Sequence, residues 1–328
     1  MSANEAVVQN YVEVKKTKSA TELTVKQRFL RVTNFLFAAL LLIELLPNHI
    51  SKDPNTIYLV GLALGLEAIV IICSATIKKR EKLNLVVDII GFIYAFLIFW
   101  TLFTAKFNIL QESLFPPPGT VFAQILSDAA QILINIGSSI GIVAQGFFIA
   151  IAIAIPAGLI LGWNARLGNA AVYIAKFFGA IPPIVYIPYG IALLPTFRSV
   201  SVFVIFLATF WPVLAATMSG VMNVESKIIN SAKTLNVNGF TMLFRIILPA
   251  ALPQIFIGLN QGLSVSFILL TSAEMIGARN GMGYYIKQYS DFGDYTRTIA
   301  GIIIIGIVVI AITFLFNKIQ NHLLRWKR

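Results

Sequence analysis

Asn260, Ser264, Thr271 and Glu274 follow one another at spacings of four, seven and three inside a long apolar stretch, with Gln261 beside them. On a helix these positions share a face. Polar groups in a membrane helix turn towards protein or water, because an unpaired one in hydrocarbon is costly. Two chemistries fit: a wet lining for a translocation path, or hydrogen-bonded glue between helices. Glu274 sits just before Gly277, Gly281 and Gly283, which suits a short re-entrant segment at an outer end, with Arg279 as the alternative ion-pair partner. Pro182, Pro183 and Pro188 interrupt one apolar run and Trp211-Pro212 another. Each is a candidate gate or hinge, or an ordinary packing kink. Bond-making sets are missing: Cys73 is the single cysteine and lies in an apolar run, so no intrachain disulfide can form. His49 and His322 are far apart with no ligand cluster beside them, so no metal site is expected. No Ser/His/Asp or Cys/His constellation supports a membrane enzyme.

The elements that must carry these residues are membrane helices. Hydrophobic residues make up 58% of the 328 and charged residues 12%, about half the charge of a soluble domain. The net charge of +11 would suit nucleic acid only if it were clustered on a soluble face, and here Lys and Arg fall between apolar runs. Eight candidate spans of about the length a bilayer needs are Phe29 to Leu46, Ile57 to Ile77, Leu85 to Thr104, Ile132 to Trp163, Ala170 to Leu194, Val200 to Val221, Pro249 to Thr271 and Thr298 to Phe316. With the N-terminus cytoplasmic, the inner segments hold most of the 25 Lys and Arg residues, leaving Lys52, Lys106, Arg198, Arg279, Lys287 and Arg297 outside and Lys176 within a span. That bias places both termini inside. The first run has no small-residue cleavage pattern, so it reads as a span rather than a signal peptide. Residues 1–28 form a polar tail.

Between the sixth and seventh spans lies the stretch Asn230 to Pro253, preceded by Glu225. Ile228, Ile229, Ala232 and Leu235 form a narrow apolar stripe, with Lys227, Asn230, Ser231, Lys233 and Thr234 around the rest. This predicts a short amphipathic helix. Asn236-Val237-Asn238-Gly239 is the turn and C-cap that ends it. A second helical piece runs from Phe240 into Ile247, and Pro249 falls in the first turn of the next span. Such a helix either docks a partner at the inner face or lies on lipid.

These residues resemble a known family. Asn230-Ser231-Ala232-Lys233-Thr234-Leu235-Asn236 with Ile247-Leu248-Pro249 looks like the E-A-A-x-x-x-G…I-x-L-P loop of ABC importer permeases, with Asn230 for the usual Glu and Asn236 for the usual Gly. Asn is the commonest non-Gly residue at positive φ, which makes the second exchange mild. Leu114-Phe115-Pro116-Pro117-Pro118-Gly119, Ala180-Ile181-Pro182-Pro183, and Ala273-Glu274-Met275-Ile276-Gly277-Ala278 with Gly281-Met282-Gly283-Tyr284 are similar to elements of the nitrate, sulfonate and taurine branch. Ile191 to Thr196 replaces that branch's L-W-F-G-I-G stretch.

The resemblance implies an all-α integral membrane chain with the type I ABC importer transmembrane fold, about eight spans, in the bacterial cytoplasmic membrane. It divides the chain into the tail 1–28, an extra hairpin 29–84 and a permease core 85–328 containing a coupling loop 222–248. Glu225, Ile229, Asn230, Ser231, Ala232, Lys233, Leu235, Asn236 and Gly239 would contact an ATPase. The cargo would be an anion of the nitrate, sulfonate, taurine or bicarbonate type. No G-x-x-x-x-G-K-[ST] phosphate loop occurs, so the chain would bind no cofactor of its own, with ATP and Mg on separate cytoplasmic ATPase subunits. An extracytoplasmic solute-binding protein, a second permease copy and lipid complete the expected partners, with no nucleic acid. The alternative is an ATP-independent secondary transporter or channel using Glu67, Lys176 or Glu274 as relay groups. Among the carboxylates in or near spans, Glu44 and Asp88 read as interfacial, and Glu67 is deep.

Overall fold

The computed structural model describes residues 31–48, 55–77 and 79–327, and these contain helices and no strand. The polar tail, the start of the first span, His49, Lys52 and Lys78 lie outside them. Two compact units divide the chain, residues 1–127 and 128–328.

The first unit holds α1 (Val32–Leu45), α2 (Thr56–Thr76), α3 (Arg80–Thr101) and α4 (Pro118–Ser127). Leu40, Leu59, Leu83, Val87 and Tyr94 form its core. Glu67 of α2 is the deep carboxylate, and the packing satisfies it: Oε1 accepts from Asn34 Nδ2 of α1 at 2.8 Å and Oε2 lies 3.2 Å from the Tyr94 hydroxyl of α3. One carboxylate thereby joins three helices without a cation. Lys106, in the π turn Leu102–Lys106 that ends α3, donates to the Leu46 carbonyl at 2.6 Å and to Asn48 Oδ1 at 2.7 Å. A cation there meets carbonyls at the negative end of α1. Trp100 Nε1 donates to the Pro116 carbonyl at 3.0 Å, fixing the Pro-rich entry to α4.

The second unit holds α5 (Ala129–Trp163), α6 (Ala165–Ala180), α7 (Ile187–Leu193), α8 (Phe197–Met222), α9 (Ser226–Thr234), α10 (Leu248–Gly277), α11 (Met282–Asp291) and α12 (Tyr295–Leu323). Helices α5, α8 and α10 pack around Phe147, Val213, Met218, Ile255 and Leu270. Their close approach rests on missing side chains. A Cβ on Gly158 would stand 2.6 Å from Thr217, and one on Gly258 would stand 2.5 Å from Ala216. Of the Gly-x-x-x-Gly matches in the sequence, 158/162 and 258/262 are at such crossings, while Gly61, Gly65 and Gly137 have open space beside them. Thr209 and Ser266 hydroxyls meet at 2.9 Å across α8 and α10.

Six helical stretches among the described residues are long and apolar enough to cross a bilayer. The fifth expected span is a pair bent by 75° between Ala165–Ala180 and Pro183–Leu193. The first is 14 residues of apolar helix, about 21 Å at about 1.5 Å per residue, short of the bilayer core. The piece before α10 is also continuous with it: Gly239–Thr241 passes through a π segment, Met242–Ile247, into Leu248. Pro249 is therefore inside one long rod of 39 residues, where the π register leads into a residue that has no N–H to give.

Candidate functional site

The segment between α8 and α10 is built from its ends inward. Helix α9 starts after Glu225, whose backbone is extended and whose side chain makes no cap. It closes at Asn236, which takes a left-handed conformation with φ 51°. The Asn236 N–H donates to the Lys233 carbonyl at 3.0 Å and the Val237 N–H to the Ala232 carbonyl at 3.3 Å, the pair of bonds that defines a Schellman stop. Asn236 thus does the work of the glycine in the related motif. Gly239 does not: it is the first residue of the next helical turn, capped by Asn238 Oδ1 accepting from Thr241 N at 2.8 Å. The expected C-cap role of Gly239 is corrected on that ground.

The apolar stripe of α9 is divided. Ala232 is buried against the chain's own core with Met242 and Ile247, and Ile229 is half-buried. Leu235 is 78% exposed and Ile228 is 41% exposed. Glu225, Asn230, Ser231 and Lys233 are exposed as well. The stripe therefore fastens α9 to the π segment with one edge and leaves the other edge free, so Ala232 is an anchor rather than a contact surface.

In α10 the polar residues separate by direction. Asn260 Nδ2 donates to Gln320 Oε1 of α12 at 2.8 Å, which is the inter-helix glue. Thr271 is half-buried and donates to the Phe267 carbonyl. Gln261 and Ser264 are exposed, and they continue through Ile268 to the half-buried Ser272, a polar position the spacing argument passed over.

Glu274 belongs to neither group. It is 1% exposed, and its surroundings correct the expectation that it lines a path or lies in a re-entrant segment, because it sits in the last turn of α10 and both oxygens are engaged. Oε1 accepts from Ser139 Oγ at 2.7 Å and Oε2 from the Gly283 N–H at 2.8 Å. Ser139 Oγ accepts in turn from the Met282 N–H at 2.9 Å, and Asn135 Oδ1 from the Gly281 N–H at 2.9 Å. Three successive N–H groups that open α11 are thus held by three side chains. A carboxylate at a helix N-terminus faces the positive end of its dipole, which accounts for a buried acid without a basic partner. Gly281 is obligatory here: φ is 133°, and a Cβ would fall 2.3 Å from Glu274 Oε1. The i, i+4 pair Asn135 and Ser139 in an otherwise apolar run was the readable signal for this lock.

Beside it, Asp128 Oδ2 accepts from Arg297 Nε at 2.7 Å and from the Tyr285 hydroxyl at 2.9 Å. Burial, then the Asp128 carboxylate, raise the Tyr285 phenol above its ordinary range.

The break in the fifth span follows from its prolines. Pro182 precedes the 3-10 turn Pro183–Tyr186, and Pro188 stands in the first turn of α7. Pro212 lies inside an unbroken α8. Trp211 stacks on Phe178, at the end of α6, with ring centroids 4.9 Å apart. The tryptophan therefore braces the bend, which brings two of the sequence's separate proline signals together.

The family model described as "Binding-protein-dependent transport system inner membrane component" matches residues 150–328, more than half of the chain. The chain belongs to this family. The permease is 32% identical over 216 residues to a probable ABC transporter permease of Brucella abortus, covering 64% of this chain and 86% of that one. It is 27% identical over 236 residues to the taurine transport system permease TauC of Escherichia coli (70% and 85%). It is also 27% identical over 263 residues to the bicarbonate transport system permease CmpB of Synechococcus elongatus (76% and 92%). A chain of the MetNI methionine ABC transporter, solved in inward-facing conformations, superposes with a TM-score of 0.51 at 16% identity, covering 60% of the permease and 97% of that chain. The permease thus has the type I importer fold and is a multi-pass inner-membrane protein, an ABC importer permease of this family.

Proposed function

We propose that the permease forms half of a translocation pathway for a small anion and is driven by a separate ATPase that grips α9. The observation that carries this reading is the free edge of α9, Ile228 and Leu235 with Asn230, Ser231 and Lys233, presented by a helix whose other edge is fixed to the rod leading into α10. A docked subunit that pushes on the free edge would act on α10 directly. ATP and Mg belong to that subunit, and a binding protein outside delivers the cargo to a pair of permease copies.

Gln261, Ser264 and Ser272 supply a polar stripe on α10 for the pathway. Pro182, Pro183, Pro188 and the Trp211–Phe178 stack make the bent span the moving wall. Both termini and α9 lie on the cytoplasmic side in this reading, in agreement with the Lys and Arg bias. An anionic cargo agrees with relatives named for taurine and bicarbonate. The secondary-transport alternative finds no unengaged carboxylate in Glu67 or Glu274, since protein donors satisfy both. The test is co-purification with candidate ATPase subunits, followed by ATP hydrolysis with and without loaded binding protein. Hydrolysis that ignores the loaded binding protein would overturn the reading.

A further inference from the structure

The end of the second unit that holds the Glu274 lock also sorts its charges. Four acidic residues lie there, and each is matched: Asp128 and Asp294 take Arg297, Asp291 takes Lys287, and Glu274 takes the start of α11. Arg198 and Arg279 are exposed and outside these pairs. Both line one cleft of about 500 Å³ that has no carboxylate in its wall. Ser138, Thr196, Ser201 and Asn280 add hydroxyl and amide groups to the same wall.

Two independent features set where the backbone presents the two arginines. Arg279 rides on a loop pinned at both ends. Gly277 lies under the Phe197 ring, so close that a Cβ would fall 2.2 Å from it, and Gly281 is held by Asn135. Arg198 is the second residue of α8, where the helix dipole adds positive potential, and its Nη2 extends to 3.6 Å from the Cβ position of Gly141 on α5. The volume is within the range of small-molecule sites, and guanidinium forks match planar or trigonal oxyanions.

We infer that this cleft is an anion-binding vestibule of the permease, in which Arg198 and Arg279 take a carboxylate, sulfonate or inorganic oxyanion between them before it meets the α10 stripe. The inference rests on the anion-import reading for its cargo. The cleft and the α9 surface are about 40 Å apart along α8, taking about 1.5 Å per residue, so its test does not pass through the ATPase.

That test is phenylglyoxal labelling of the purified full-length permease in nanodiscs, read residue by residue by mass spectrometry. The probes are nitrate, bicarbonate, taurine and sulfate, with choline chloride as the reference salt. At least one oxyanion is expected to slow modification of Arg198 and Arg279 together, by about tenfold at saturation, with Arg166 and Arg245 unchanged. Equal rates with every probe, or protection only on adding a solute-binding protein, would overturn the vestibule. Gly141→Leu keeps both charges but fills the space beside Arg198, and it should abolish the protection while the thermal transition of the protein stays in place. Protection that survives Gly141→Leu would also overturn it. If the ATPase fails to associate but protection is seen, the vestibule stands and the coupling reading falls.

Discussion

Single residues carry the sharpest consequences at the lock. Glu274→Ala leaves the Gly283 N–H and the Ser139 hydroxyl without their acceptor in a buried place, which costs about 1 to 3 kcal/mol for each unsatisfied group. The expected result is a thermal transition lowered by several degrees and faster proteolysis at the loop after α10. An unchanged transition would remove the lock from the account of this fold. Gly281→Ala should behave the same way, since its φ and the nearby carboxylate both exclude a side chain. Asn236 offers the opposite sign. Asn236→Gly should be neutral or slightly stabilising, and Asn236→Val should cost about 1 to 2 kcal/mol because a β-branched residue resists the left-handed region. Chemical denaturation in detergent distinguishes them. The sequence alone made Asn236 legible, because one backbone conformation and one short list of residues decide it. Glu274 was legible as unusual but not as buried, since its partner Ser139 stands 135 positions away.

At the scale of elements, α9 separates anchoring from docking. Leu235→Asp changes a side chain that is 78% exposed, so ATPase co-purification should fall while the permease itself stays monodisperse and keeps its thermal transition. Ala232→Glu should instead lower the transition, because a carboxylate enters the core against Met242 and Ile247 without a partner. Equal loss of association and equal stability in both variants would mean that α9 does not have two edges. Apolar periodicity found this helix but not its division, because a stripe of four residues does not say which neighbour covers each end. Most spans were legible by length and hydropathy alone, and α5, α8 and α10 occupy their expected stretches with longer ends. The crossings were less so: Gly258 and Gly262 are at the α8 contact, yet Gly61 and Gly65 share the same spacing and touch nothing there. Spacing sets which residues share a face, and only the fold sets what that face meets.

For the whole molecule, the reading makes the permease a conduit that consumes nothing itself. Reconstituted without other subunits, it should accumulate no nitrate, bicarbonate or taurine against a gradient in a tracer-uptake assay. Uphill uptake by the permease alone, dissipated by an ionophore, would establish the secondary-transport alternative instead. The first unit was the least legible part: the resemblance stops near residue 85, and only the tie of Glu67 to Asn34 and Tyr94 shows what its carboxylate does. The π segment Met242–Ile247 has one more consequence. A π turn holds roughly one residue more than an α turn, so rewinding Met242–Ile247 as regular α-helix with no residue removed would turn everything before it by about 100° about the axis. The gripping edge would then point away from its neighbour although every side chain on it is intact: a gear with sound teeth, mounted out of phase.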